Sequence, residues 1–283
     1  MKSVLITGGS GTFGQAFTRY LLDNTECDRI VILSRGEFMQ HMMAEAFKGH
    51  EDRLRFMIGD VRDQGRLKRA MRDIDLVVHA AALKRIEVGY YNPDEVIRTN
   101  VYGSENVVNA ALDAGVKKAI LLSSDKAYQP VSPYGTTKLA AESLFINANN
   151  MRGNDGTIFS VCRYGNVWGS TGSVAPKWKA IIEQGCFNTV PVTDPECTRF
   201  FMRMSEAVDL VMKTCREMGG GEVNIPNLPA YRLGDLAIAM GVDTEITGLP
   251  AWEKLHESMS EHRSSDRARR MTIRELQEAV NEL

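Results

Sequence analysis

Cysteine is scarce and unpatterned in this chain. Cys27, Cys162, Cys186, Cys197 and Cys215 are odd in number, scattered, and never fall in a CxxC spacing. A disulfide framework or zinc site is therefore not expected, and buried thiols in a reduced, cytoplasmic compartment are. Net charge is nearly lacking too: 34 Lys and Arg against 36 Asp and Glu leave −2. No broad basic field is available to draw in nucleic acid or an anionic membrane. No apolar run approaches the ~20 residues that cross a bilayer. The opening MKSVLITGG has no long apolar signal core or small-residue cleavage site. Internal repeats and low-complexity tracts are missing as well. What remains is ordinary: 283 residues, 43% hydrophobic and 25% charged. That is enough to build a core without staples, and too apolar for wholesale disorder.

Short apolar or β-branched runs recur at Val4–Thr7, Ile30–Leu33, Leu54–Ile58, Leu76–His79, Ala119–Leu122 and Ile158–Val161. Helix-compatible segments separate them: Phe13–Asn24, Glu37–Phe47, Arg66–Arg72, Asp94–Ala114 and Tyr134–Asn149. This alternation predicts an α/β fold with a doubly wound parallel sheet covered on both faces. Past Tyr164 the rhythm breaks into Gly-, Ser- and Pro-punctuated pieces. Residues 1–164 are thus read as a cofactor domain, to which some later segments can return. Residues 165–283 are read as a smaller, mainly substrate-binding domain. The basic stretch His262–Arg270 reads as a solvated connector before a last helix.

Thr7-Gly8-Gly9-Ser10-Gly11-Thr12-Phe13-Gly14 closes the first strand and opens the first helix. Gly8, Gly11 and Gly14 suit a tight turn, a close approach to pyrophosphate and close helix–sheet packing, as in a Rossmann-like dinucleotide site. The helix N-terminus would offer aligned N–H groups to phosphates. At the end of the second strand, an acidic residue would bind a ribose 2′-hydroxyl, whereas Arg accommodates a 2′-phosphate. Here Ser34 and Arg35 stand, with no carboxylate before Glu37. NADP is therefore expected over NAD. Asp60 and Val61 would meet the adenine edge, and Ala80, Ala81 and Ala82 the phosphates.

Tyr134 and Lys138 share one helix face at i, i+4. An ammonium near the phenol lowers its pKa and prepares it to take a hydroxyl proton. Upstream, Ser123-Ser124-Asp125-Lys126-Ala127 places hydroxyl, carboxyl and amine where the fifth strand ends. That edge is where open α/β sheets bind ligands.

The segments TGGSGTFG, GDVRD, HAAALK, SSDKAYQPVSPYGTTK, RYGNVWGSTGSVAP, DPECTRF and EKLHE resemble the extended short-chain dehydrogenases/reductases. Within that superfamily they are most similar to the inverting UDP-N-acetylglucosamine 4,6-dehydratases, from residue 1 to about 257. The Asp125-Lys126 pair carries the likeness most specifically, because retaining enzymes have Asp-Glu there. The resemblance implies that Tyr134 takes the C4 hydroxyl proton, Lys138 holds the nicotinamide ribose, and Ser124 bonds the 4-oxygen. Lys126 would remove the C5 proton as a neutral amine, and protonated Asp125 would donate to the departing C6 hydroxyl. Further implied cofactor contacts are Thr7, Thr12, Phe13, Asn100, Tyr164 and Asn166. Implied substrate contacts are Lys84, Ser124, Asn166, Val174, Lys177, Thr193, Arg199 and Glu253. A nucleotide-sugar partner and a homo-oligomer follow from the same likeness.

Two departures stand out. Pro250-Ala251-Trp252-Glu253-Lys254 replaces the family's Arg-Pro-Gly-Glu-Lys, so one cation is lost, and the stretch after Glu257 is short. Release of a 5,6-ene, 4- or 5-epimerisation, and a non-catalytic NADP(H) sensor are the alternative functions.

Overall fold

All five residues of β1 (Ser3–Thr7) are buried, as a central strand covered on both faces requires. The computed structural model describes residues 1–154, 156–185 and 188–283, so Cys186 lies outside the described residues. β1 pairs in parallel with β2 (Arg29–Ser34) on one side and β4 (Leu76–His79) on the other. Beyond β2 lies β3 (Leu54–Ile58); beyond β4 come β5 (Lys118–Leu122), β6 (Ile158–Cys162) and the short β9 (Val223–Asn224). The order β3-β2-β1-β4-β5-β6-β9 reverses direction between β1 and β4, which opens the crevice used by ligands in such sheets.

One face is covered by α1 (Thr12–Asn24) and α9 (Met204–Glu217), which bury Phe17, Leu21, Val208 and Val211 against the sheet. The other is covered by α3 (Gln64–Ala70), α6 (Gly103–Ala114) and α7 (Pro133–Ala148), burying Leu67, Val107 and Phe145. α9 and β9 follow residue 164, so segments of the second part do return to the first sheet.

α7 starts where its sequence directs. Ser132 accepts from the Gly135 amide at 3.2 Å, and Pro133 fills the first turn. The single helix expected over Asp94–Ala114 is instead α5 (Pro93–Ile97), a π-helical turn at Arg98–Tyr102, and α6. That widened turn carries the buried Asn100, an engagement that helical periodicity does not reveal.

The smaller part contains α8 (Val174–Glu183), α10 (Leu233–Met240) and α11 (Ile273–Asn281) around Trp178, Phe201, Tyr231, Leu236 and Leu276. Its strands form three pairs: β8 (Thr198–Phe200) with β10 (Ala230–Arg232), β7 (Thr189–Val192) with β11 (Asp243–Ile246), and β12 (Ser258–Ser260) with β13 (Arg263–Ser264). The last pair corrects the reading of His262–Arg270 as a solvated connector. Ser264 and Ser265 are buried, and Arg270 bridges to Ala230. Among the described residues, no helix is long and apolar enough to cross a membrane.

Candidate active site

Gly8 turns the chain with φ +66°, and a Cβ there would stand 2.8 Å from the Ala81 Cα. A Cβ on Gly14 would collide with the Gly9 carbonyl oxygen. The glycines therefore serve close backbone approach, and the small Ala80–Ala82 segment faces them. α1 begins at Gly11 without a side-chain cap or an acidic residue in its first turn. Its free N–H groups make an anion seat that fits a dinucleotide pyrophosphate. Thr12, exposed, meets Thr171 of the glycine-rich loop at 3.1 Å, and Phe13 stacks on Phe17.

At the end of β2, Ser10 Oγ donates to Ser34 Oγ at 2.9 Å, and Gln40 also donates to Ser34 Oγ. Arg35 is exposed and only loosely held, 3.9 Å from Asp60 Oδ2. Arg62 is the firm partner of Asp60, at 2.7 Å; it keeps that carboxyl below its ordinary value despite the opposing effect of burial. Val61 lies buried against Gly103.

Two expected cofactor residues turn inward. Thr7 Oγ1 meets His79 Nδ1 at 2.7 Å, and His79 Nε2 meets Ser104 Oγ at 3.1 Å. Asn100 accepts from the Leu83 amide at 2.8 Å and donates to the Leu83 carbonyl and Thr137 Oγ1. Both side chains hold the loops that line the crevice.

Beyond β5 a 3₁₀ turn, Asp125–Ala127, presents the acid–base groups. Ser124 Oγ donates to Asp125 Oδ1 at 2.8 Å, and Lys126 Nζ donates to the same oxygen at 3.2 Å. Lys126 also faces Asn166 Oδ1 at 3.5 Å and Glu257 Oε1 at 3.2 Å. Asp125 is wholly buried; burial raises its carboxyl, Lys126 opposes that, and Glu257 adds to it. Burial disfavours the Lys126 charge, but Asp125 and Glu257 outweigh it and hold the ammonium above its ordinary value.

Burial raises the Tyr134 phenol, while the Lys126 ammonium and Ser124 hydroxyl pull it back. Lys138 Nζ donates to the Leu122 carbonyl at 2.5 Å, and burial lowers its pKa to about 8. Lys126 is thus a cation that favours the phenolate of Tyr134. Buried Tyr164 anchors the turn through its carbonyl, which accepts from the Asp125 amide at 2.9 Å.

Among the expected substrate residues, Ser124, Asn166, Arg199 and Glu253 lie round this centre. Buried Arg199 pairs with Glu253 and donates to the Thr198 carbonyl at 2.8 Å. Val174 opens α8, and Lys177, one turn on, reaches Glu87 of α4 (Ile86–Tyr91) at 3.7 Å. Lys84 is exposed on the loop leading to α4. Thr193 stands apart, its hydroxyl 3.8 Å from Cys197 Sγ.

The sequence matches the polysaccharide biosynthesis protein family over residues 4–277. The chain belongs to that family, among the extended short-chain dehydrogenases/reductases. It is 47% identical to the Campylobacter jejuni UDP-N-acetylglucosamine 4,6-dehydratase (inverting) over 260 residues, which are 91% of this chain and 77% of that one. The solved structure of Pen from Bacillus thuringiensis superposes with a TM-score of 0.93 at 32% identity, covering 100% of this chain and 98% of Pen. DesIV, a dTDP-glucose 4,6-dehydratase from Streptomyces venezuelae solved with NAD and TYD bound, shares the fold: TM-score 0.83, 21% identity, covering 99% of this chain and 96% of DesIV.

This family member is an enzyme, and three of its notable residues escaped sequence reasoning. Glu257 was visible only as the last letter of EKLHE. His79 ended a strand like any apolar-run neighbour. Arg163 binds buried Glu142 through Nε at 2.9 Å and the Met259 carbonyl at 2.7 Å, joining α7, β6 and β12 beneath the site. No local spacing announces such partners.

Proposed function

We propose that this enzyme is a nucleotide-sugar 4,6-dehydratase that converts UDP-N-acetylglucosamine, or a related UDP-sugar, to the 4-keto-6-deoxy sugar with inversion at C5. The observation that carries the reading is the Ser124-Asp125-Lys126 turn, with its amine and carboxyl 3.2 Å apart beside Tyr134. A simple oxidation or epimerisation at C4 needs no such second acid and base. The likeness to the Campylobacter dehydratase supports the same chemistry and substrate.

A nicotinamide dinucleotide, as bound in DesIV, fits the Gly8–Gly14 cradle and would accept hydride from C4 and return it to C6. Ser10, Ser34 and the loosely held Arg35 favour NADP, since hydroxyls and a mobile guanidinium suit a 2′-phosphate. Lys138 would hold the nicotinamide ribose.

Tyr134 takes the C4 hydroxyl proton while Ser124 steadies the oxygen. The resulting ketone acidifies the C5–H bond. Lys126, once its own proton has passed to Asp125, removes the C5 proton. Asp125 gives its proton to the C6 hydroxyl, which leaves as water. The two groups divide acid from base because their surroundings push their proton affinities apart. For binding, Arg199 and Lys177 would face the diphosphate and Glu253 the nucleotide, after exchanging their present ion pairs.

The test is turnover of UDP-N-acetylglucosamine in deuterated water, with product mass and NMR. Loss of one water, deuterium at C5 and the inverted configuration support the reading. A product isomeric with the substrate sinks it in favour of epimerisation, and an NMR signature of a 5,6-ene places the end point before hydride return.

A further inference from the structure

Glu257 is only 2% exposed. Its Oε1 lies 3.2 Å from Lys126 Nζ, and its Oε2 has no hydrogen-bond partner, with Lys254 Nζ at 3.8 Å. On the far side of the same ammonium, Asp125 Oδ1 stands at 3.2 Å and Asp125 Oδ2 is likewise unpartnered. The backbone around Glu257 is fixed: its amide donates to Ser265 Oγ at 2.9 Å, and its carbonyl accepts from the Ser265 amide at 2.8 Å. Other elements complete the surroundings. Arg199 faces the cluster from β8, paired with Glu253; Tyr134 faces it from α7 and Tyr231 from β10. His256 turns away to Thr198. Three cations thus meet three carboxylates in a nearly dry centre.

We propose that Glu257 is the positioning residue of the elimination step, setting where the single proton of the Asp125–Lys126 pair resides. This rests on the dehydratase reading above. Passage of a proton from Lys126 Nζ to Asp125 Oδ1 breaks one N–H bond and forms one O–H bond, leaving an amine and a carboxylic acid at unchanged total charge. The amine then takes the C5 proton, the C5–H electron pair forms the C5–C6 double bond, and the C6–O bond breaks. The hydroxyl leaves as water with the Asp125 proton. The pair ends as ammonium and carboxylate, its starting state. Glu257 acts differently at the two stages: by stabilising the Lys126 ammonium it holds back the first transfer, and once the amine has formed it strengthens the base that takes the C5 proton while opposing early ionisation of Asp125. Without it, both groups would hold protons less tightly.

The test compares wild type with Glu257→Gln and Lys254→Gln in pH–rate profiles. Glu257→Gln is expected to slow elimination about 100-fold and move both pH limbs down by about one unit or more. Its C4 oxidation, followed in single turnover by the near-ultraviolet absorbance of reduced nicotinamide, should persist, with the reduced cofactor accumulating. Lys254→Gln removes a cation from the other side of Glu257 and should move the limbs upward. Glu257→Asp should recover part of the rate. Limbs that stay in place, or that move the same way in both variants, overturn the role of Glu257. Should Glu257→Gln not fold, the sign of the Lys254→Gln shift decides alone. Wild type that dehydrates normally while the limbs stay in place refutes only this role; wild type that never releases water refutes the dehydratase reading along with it.

Discussion

The Tyr90 and Trp252 rings lie 4.4 Å apart, tilted by 45°, and tie α4 to the turn ahead of β12. Trp252 stands where the family resemblance leads one to expect the glycine of Arg-Pro-Gly-Glu-Lys. In place of the cation that the resemblance leads one to expect, the turn makes an aromatic contact with α4. Trp252→Ala is expected to raise KM for the sugar nucleotide about 2- to 10-fold, equivalent to ~0.5–1.5 kcal/mol for such a ring pair. Because the rings pair with each other on elements separate from the Asp125–Ala127 turn, kcat should stay within about twofold. Steady-state kinetics on both variants of the pair, Trp252→Ala and Tyr90→Ala, check this; a fall in kcat at unchanged KM contradicts it.

Gly8→Ala should lose cofactor before it loses fold. The new Cβ would meet the Ala81 backbone at 2.8 Å, at a φ of +66° that side chains rarely adopt. A destabilisation of about 1–3 kcal/mol is expected, with markedly reduced dinucleotide in the purified protein. Thermal melting and release of bound nucleotide on denaturation measure the two effects. A variant that keeps full cofactor content contradicts the close-approach role.

Arg163→Met should destabilise the protein by about 3–5 kcal/mol, because it strands the buried Glu142 carboxylate. The double variant Arg163→Met, Glu142→Gln should regain much of that loss. Urea unfolding of the two single variants and the double one gives the coupling directly. Additive losses would mean that the ion pair carries no specific stabilisation.

His79 predicts an acid-sensitive fold. Burial, with a smaller push from Lys138, lowers its pKa from 6.5 to about 3. The unfolded chain therefore binds a proton across that window while the folded one does not, so stability is intact above pH 6.5 and falls as pH drops. About 1.4 kcal/mol per pH unit is expected from this group. Asp75 also loses stabilisation in acid, but only below its ordinary value of 3.8: burial opposes its ionisation, yet Lys117 and the Lys2 and Ser3 amides hold it at about 2. Chemical unfolding of wild type and His79→Gln between pH 6.5 and 4 separates the two. An unchanged slope in the variant would remove His79 as the cause.

Much of this enzyme was legible in its sequence where function depends on neighbours along the chain. The Gly8–Gly14 segment and the Tyr134–Lys138 spacing express local geometry, the one turning from β1 into α1 and the other lying within α7. The Ser124-Asp125-Lys126 turn is local as well. Glu257, Arg163 and His79 depend on partners brought close only by the fold, so no periodicity marks them. Asn100 and Thr7 show a subtler limit: the family resemblance implied them as cofactor contacts, whereas their side-chain polar atoms bond within the protein. Residue type told where they sit and not which way they face. Trp252 was noticed as a departure, yet its partner Tyr90 lies on a short helix that apolar patterning passed over.

β9, two residues long, has a bearing on how such enzymes diversify. The chain leaves the dinucleotide half after β6, builds α8, β7 and β8, and then comes back through α9 and β9 to finish the first sheet. The smaller part is therefore built in two stretches, one before α9 and β9 and one after them. A single crossover after residue 164 would carry off a helix that covers β5 and β6 together with their edge strand. Exchanging the smaller part between relatives therefore needs several matched junctions, one on each side of α9 and β9.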